Sequence, residues 1–189
     1  MFRCLAWKWI SIGCPENEKS LEKLGYQTEI VFENDKVICD DKDVTKEIRS
    51  ESISKNASKI SSFPIIRDLM KKQQITLVES VSNHGSFKGA VLEGRDIGTV
   101  VFPGAEFKFY IDAPPEVRAK RRLKQLRRVG SKINFDEILV ALQKRDYQDK
   151  NRLVAPLKPA ADAVVFDTGL MKEDQVLKTL RNFILKKSK

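Results

Sequence analysis

The chain has 189 residues, a length that suits one domain with an inserted lobe, and an apolar content of 41% supports a sizeable core. Its net charge of +9 is concentrated: Arg118, Lys120, Arg121, Arg122, Lys124, Arg127, Arg128 and Lys132 fall in one acid-free run, and the remainder is close to neutral. Three cysteines without C-x-x-C spacing (Cys4, Cys14, Cys39) argue against a disulfide framework or a zinc site and fit a reducing cytoplasm, and no apolar run nears the about 18 residues that a membrane span needs.

Phe2, Leu5, Ala6, Trp9 and Ile10 recur at near-helical spacing and predict an amphipathic helix over 1–12, read as a helix and not a signal peptide, although it starts without an N-cap. A second short helix is expected over 16–24, closed by Gly25 as its C-cap. Residues 26–32 and 36–39 read as short strands around the turn Glu33-Asn34-Asp35. Short helices follow over 45–48 and 53–60, and Pro64 opens another over 64–73. This part has small elements of mixed type and reads as a lobe separate from the main sheet. The stretch 76–87 is polar and reads as a loop. It holds His84, the single histidine, expected there as a loop residue and not as a catalytic base. Buried strands are expected over 90–92, 107–111 and 164–166. They alternate with helices that start at Pro114-Pro115 and run to about 128, over 135–150 and over 172–186, the first broken by Gly130. That alternation implies a parallel sheet of α/β type.

Two stretches carry chemistry. Glu93-Gly94-Arg95-Asp96 follows Val91-Leu92 at an expected strand end, where parallel sheets hold ligands. Acids and an arginine beside buried β-branched residues are costly unless paired or liganded. A plain charged turn between two strands is the other reading. In the helix from Phe135, Ile138 and Leu142 set an inward stripe, and steps of three and four residues continue it through Arg145, Asp149 and Arg152. Charges on such a stripe line a cleft or form an internal Arg-Asp-Arg network that fixes the helix end. Guanidinium groups bind phosphate through two parallel charge-assisted bonds and stay charged. Arg95, Arg145 and Arg152 could converge on one anion while the basic arm closes over a second. That combination suggests phosphoryl transfer, which depends on alignment and charge neutralisation.

Longer motifs make the reading specific. Gly94-Arg95-Asp96-Ile97-Gly98-Thr99-Val100-Val101-Phe102-Pro103, followed by Phe109-Tyr110-Ile111-Asp112-Ala113, resembles the bacterial cytidylate kinase family. So do Arg145-Asp146, Asp149-Lys150-Asn151-Arg152-Leu153-Val154-Ala155-Pro156-Leu157 and Pro159-Ala160-Ala161-Asp162-Ala163. Upstream, Asp43-Val44-Thr45, Ile48-Arg49, Ala57-Ser58-Lys59 and Phe63-Pro64 match in the same order, so the resemblance covers nearly the whole chain. It implies a monomeric cytoplasmic enzyme that transfers the γ-phosphoryl group of ATP, with Mg2+, to CMP or dCMP, with no nucleic-acid or membrane partner. By family position, Ser58, Arg67 and Asp96 would read cytosine. Arg3, Arg95, Arg145 and Arg152 would clamp the CMP phosphate and the transferring group, and Asp149 would bind the sugar hydroxyls. Arg121 and Arg122 would meet the ATP phosphates from a lid. The implied fold is a three-layer parallel-sheet P-loop nucleoside monophosphate kinase. Residues 1–24 would be a helical remnant of the core, 25–90 the monophosphate lobe, 91–117 core, 118–134 the lid and 135–189 core.

There are departures. The family begins with a strand, a G-x-x-x-x-G-K-[ST] loop and a helix, and Met1-Phe2-Arg3 resembles an internal Met-Tyr-Arg segment that follows them. No run of that kind occurs here; the nearest lookalike, from Gly89 to Gly94, lacks the lysine and the hydroxyl. The fold is therefore expected to be incomplete at its N-terminus, with unpaired strand edges, poor stability and negligible CMP turnover. Glu93, Lys42 and the longer polar loop between Arg67 and Arg95 are smaller departures. Two other functions are weighed: an inactive remnant that still binds a nucleotide, and a basic nucleic-acid-binding module. The second is the weaker, because the basic arm lacks interleaved aromatic residues.

Overall fold

A computed structural model describes residues 1–33, 35–83, 89–128 and 130–187, with only the backbone of 81–83. They form two compact units, Met1–Val91 and Leu92–Lys189.

The first unit is built around α1 (Phe2–Ser11), which buries Cys4, Leu5, Ala6 and Trp9. Trp9 is fully buried. Its ring meets Phe63 edge-on with centroids 6.3 Å apart, and its indole N–H donates to the Pro15 carbonyl at 2.8 Å, the partner that a buried indole requires. The helix α2 (Glu18–Gln27) starts where the Asn17 side chain accepts from the Ser20 N–H at 2.9 Å. Gly25 is not its C-cap. It lies inside α2 and is buried where this helix meets α4 (Pro64–Asn83): a Cβ there would come within 2.4 Å of Leu69 Cδ1. Glycine is thus required for close approach of two helices, and α2 runs on until Thr28 closes it, its hydroxyl donating to the Leu24 carbonyl.

The strand expected over 26–32 is correspondingly shorter. An antiparallel sheet forms from β1 (Ile30–Glu33), β2 (Lys36–Cys39) and β3 (Lys42–Asp43), with Ile30 opposite Cys39 and Glu33 opposite Lys36. Asn34, at the expected turn, lies outside the described residues. A 3-10 turn over Glu47–Arg49 leads to α3 (Glu51–Ile60), capped by Ser50. Helix α4 extends ten residues past its expected end and replaces most of the loop expected over 76–87. Polar composition was a poor guide: residues 65–83 contain neither glycine nor proline, and a nucleated helix propagates until something stops it. His84 lies outside the described residues. Ile53, Ala57, Ile60, Ile66 and Met70 complete the core around α1.

The segment that leads into the second unit departs from expectation. Residues 90–92 are not a strand: among the described residues no ladder partners them, and Val91 is wholly exposed at 103%. A strand exists only through its neighbours' hydrogen bonds, and an apolar run without them stays irregular. Residues Ile97–Val101 then form one π-helical turn. Gly94 permits it, since a Cβ there would lie 2.7 Å from Ile97 Cγ1. The α/β expectation is met by β4 (Phe109–Asp112) and β5 (Val164–Asp167), which pair in parallel with Phe109 opposite Val164 and Asp112 opposite Asp167. The strands are not the buried ones expected, since among the described residues no third strand joins this sheet and Ile111 and Val165 stay exposed at 53% and 61%. Phe109 packs on Phe166 and on Phe183 of α7 (Glu173–Lys187), with centroids 5.8 and 5.5 Å apart. Helices α5 (Pro115–Arg128) and α6 (Phe135–Asn151) pack on each other. Gly130 ends the first with φ +78, a conformation glycine adopts without strain. Asn134 starts the second by accepting from the Glu137 N–H at 2.9 Å while its own amide donates to the Glu137 carboxylate. Among the described residues no helix is long and apolar enough to cross a membrane.

Candidate functional site

The α6 stripe turns from apolar to charged as its spacing predicts. Ile138 and Asp149 are buried on it. Asp149 is the hub of three arginines. Arg95, from the segment before the π turn, donates through Nε to Asp149 Oδ2 at 3.0 Å. Arg145, one turn back on α6, stands 3.8 Å from the same oxygen, and Arg152, just past the helix end, stands 3.7 Å from Oδ1. The arginine network weighed as one reading of this stripe is therefore present. It is also open: the side chains of Arg95 and Arg145 keep 35% and 36% of their surface exposed, against 9% for Asp149. Asp149 is thus shared among three permanent cations, two of them partly open to solvent. A buried hydrogen-bonded charge of that kind orients its partners and does not cancel them.

Local backbone geometry holds the arrangement. The Leu157 N–H donates to the Asp149 carbonyl at 2.7 Å, so the chain turns back over the end of α6. Within that turn Arg152 Nε donates to the Ala155 carbonyl at 2.6 Å, and Ala155 takes φ +50. On the other side, the Asp96 carbonyl accepts from the N–H groups of Thr99, Val100 and Val101 at 3.3, 2.9 and 3.2 Å. This convergence closes the π turn and buries Asp96 beside Arg95 in sequence.

Sequence reasoning missed an ion pair next to the hub. Arg118 of α5 makes two parallel bonds to Asp146 of α6, Nη1 to Oδ1 at 3.0 Å and Nη2 to Oδ2 at 2.5 Å, and its Nε donates to the Ala113 carbonyl at 2.8 Å. The bond to Asp146 raises the guanidinium pKa above its ordinary value. Burial raises the Tyr110 hydroxyl, with the charges of Asp112 and Asp146 adding to the effect. The only sequence signal for this pair was Asp146 following Arg145; Arg118 was hidden in the basic run. Lys108, nearly buried, bonds the Pro103 carbonyl and Asp162, whose carboxyl is held below the ordinary range by that lysine.

Of the residues expected on a lid, Arg121 is turned onto the start of the β5–α7 connection: Nη1 donates to Thr168 Oγ1 at 3.1 Å and Nη2 to the carbonyls of Thr168 and Met171. Arg122 is half-buried on the same helix.

The remaining expected site residues belong to the first unit. Arg3 donates to the Ile48 carbonyl at 2.7 Å and to Ser54 Oγ at 3.2 Å. Ser58 is half-buried one turn further along α3. Arg67 is buried, donates to the Ser61 carbonyl at 3.0 Å and lies 5.6 Å from the Phe2 ring centroid. Arg3 thus reaches Ser54 of α3 and Arg67 reaches Phe2 at the start of α1, the two helices being packed together.

A family model described as cytidylate kinase matches residues 1–186. The chain is similar to curated relatives described as cytidylate kinase. It is 42% identical to that of Aeromonas hydrophila over 157 residues, covering 83% of this chain and 65% of the relative. It is 39% identical to those of Vibrio cholerae and Aliivibrio salmonicida over 189 residues, covering 97% of this chain and 81% of each relative. The chain thus spans about two thirds of the Aeromonas relative and four fifths of the other two.

Proposed function

The chain belongs to the cytidylate kinase family, and on that footing we propose that it carries the acceptor side of phosphoryl transfer from ATP to CMP or dCMP, giving ADP and CDP or dCDP, with the phosphate-clamping arginines concentrated in its second unit. The observation that carries this reading is the cluster of Arg95, Arg145 and Arg152 about Asp149. Three forked cations at one buried carboxylate suit the monophosphate and the charge that develops on the transferring group. Asp149, a carboxylate with lone pairs beyond those facing Arg95, serves the sugar hydroxyls. Asp96, an acceptor, serves the cytosine amino group. Arg3, Ser58 and Arg67 keep the roles that family position implies, Arg3 on phosphate and the other two on the base. Arg121 and Arg122 meet the ATP phosphates once Arg121 leaves Thr168. Residues 25–90 serve as the monophosphate lobe and 118–134 as the lid of a parallel-sheet nucleoside monophosphate kinase.

Magnesium is part of the reading as the partner of ATP. Among the described residues no group of three or more His, Cys, Asp or Glu side chains stands together. An ion that keeps its waters and takes phosphate oxygens from the nucleotide fits such a surface. It would supply charge neutralisation at the transferring phosphoryl group. The 189 residues hold no G-x-x-x-x-G-K-[ST] run, so we expect CMP binding to be retained and turnover by this chain alone to be weak. A cytoplasmic monomer completes the proposal; its three cysteines are free.

Titration calorimetry with CMP, dCMP, UMP and AMP, together with CMP-dependent ADP formation, tests it. Binding of CMP and dCMP in preference to AMP, lost in Arg95→Met, is the expected result. Absence of any pyrimidine monophosphate binding would overturn it, and brisk ADP formation would overturn the expectation of weak turnover.

A further inference from the structure

We propose that Arg118 and Asp146 are positioning residues that set the rotation of α6 and so aim Arg145 and Asp149 at Arg95. Arg118 ties three elements at once. Its own helix is α5, its Nε holds the Ala113 carbonyl at the end of β4, and its two terminal nitrogens hold both oxygens of Asp146 on α6. The pair is sheltered, with 28% and 19% of the side-chain surfaces exposed. On a helix that advances about 100° per residue, Arg145, Asp149 and Arg152 fall within roughly 60° of one another, and Asp146 flanks them by about 60° from Asp149. A two-point hold at that flank resists rotation of the stripe in a way that a single contact cannot. The strand end is the fixed reference, because Thr168 N–H and Oγ1 donate to the Asp112 carbonyl beside Ala113 at 2.8 and 3.0 Å. The order of transmission is strand end, Arg118, Asp146, α6, Asp149, Arg95. Neither Arg118 nor Asp146 need touch a nucleotide for this.

Lysine at 118 would keep the charge but lose the planar fork, so it cannot hold Asp146 at two points and Ala113 as well. Asparagine at 146 keeps the shape and loses the charge, whereas glutamate keeps both oxygens one methylene further out. The proposal rests on the reading that the Asp149 cluster binds CMP, and its test has a readout that does not. In the 189-residue chain, Arg118→Lys, Asp146→Asn and Asp146→Glu are compared by CMP titration and by the Nε–Hε NMR resonance of Arg95 without nucleotide, at a temperature where circular dichroism shows each variant folded. Arg118→Lys and Asp146→Asn are expected to weaken CMP binding roughly tenfold or more and to move the Arg95 resonance toward that of a solvated arginine, while Asp146→Glu recovers part of both. A purely structural pair would lower the melting temperature and leave both readouts of the folded protein in place. A folded Arg118→Lys with CMP affinity within about twofold of the parent and an unmoved Arg95 resonance overturns the proposal. If the parent chain binds no CMP, the kinase reading falls, and the Arg95 resonance alone decides the positioning role.

Discussion

Arg95 and Asp149 lie 54 positions apart in sequence, and their side chains meet at 3.0 Å in a sheltered hydrogen bond. Asp149→Asn keeps the volume and removes the charge that gathers three arginines. It is expected to cost the fold roughly 2 kcal/mol, the scale of a lost charged hydrogen bond. It is also expected to weaken CMP binding, because the arginines then repel one another. Urea unfolding and calorimetry on the same sample check both parts.

Gly25 is held to glycine by Leu69. Gly25→Ala is expected to destabilise the chain by about 1–3 kcal/mol through overpacking. Leu69→Ala removes the obstructing Cδ1 at 2.4 Å, so the double variant is expected to lose less than the sum of the two single losses. A double-mutant cycle measured by denaturant unfolding reads that coupling.

Cys39 is fully buried and its thiol is pushed up to about 12, by burial first and the Asp40 charge second. Cys4 is raised by burial as well. The folded state therefore keeps protons that the unfolded chain releases above its ordinary thiol value near 9. Stability is unaffected below that value and falls as pH rises from about 9 toward 12, by up to about 1.4 kcal/mol per pH unit for one thiol. Cys39→Ala should make that slope shallower in unfolding curves taken across the alkaline range. Thiol titration of the native protein at mildly alkaline pH should find Cys14 reacting fast and Cys4 and Cys39 reacting only on unfolding.

Arg121 holds the connection that follows β5. Arg121→Ala is expected to cost about 1–2 kcal/mol and to speed amide exchange at Met171, whose N–H donates to the Thr168 carbonyl at 3.1 Å. Hydrogen exchange read residue by residue distinguishes this local loosening from global destabilisation.

What the sequence disclosed depended on range. The α6 stripe was legible because helical periodicity is local, and Ile138 to Asp149 keeps one face inward. The parallel pair was legible as two apolar runs separated by helices, but their burial was not, because apolar composition does not say how many strands will flank a pair. Gly25 was misread because a C-cap and a helix-crossing glycine look alike until the partner, Leu69, is known. Residues 90–92 have strand composition and no strand, because composition does not supply a ladder partner. Helix α4 was cut short since polar residues at 76–83 resemble a loop, whereas the determinant was the lack of a stop signal. The pair of Arg118 and Asp146 was invisible for another reason: charge runs do not reveal which of their members turn inward.

The turn after α6 has a consequence for how this chain can vary. Arg152 is held from within by Ala155, and Leu157 is hydrogen-bonded back to the residue that Arg152 faces. The segment from Asp149 to Leu157 is in effect a closed loop of set circumference. Side chains on its outer surface, such as Leu153, which is fully exposed, are free to change. Inserting or deleting a single residue would shift either the arginine or its anchor out of reach. In this stretch spacing should be more constrained than composition, and glycine at 155, which relieves the left-handed backbone, should be the most readily accepted replacement.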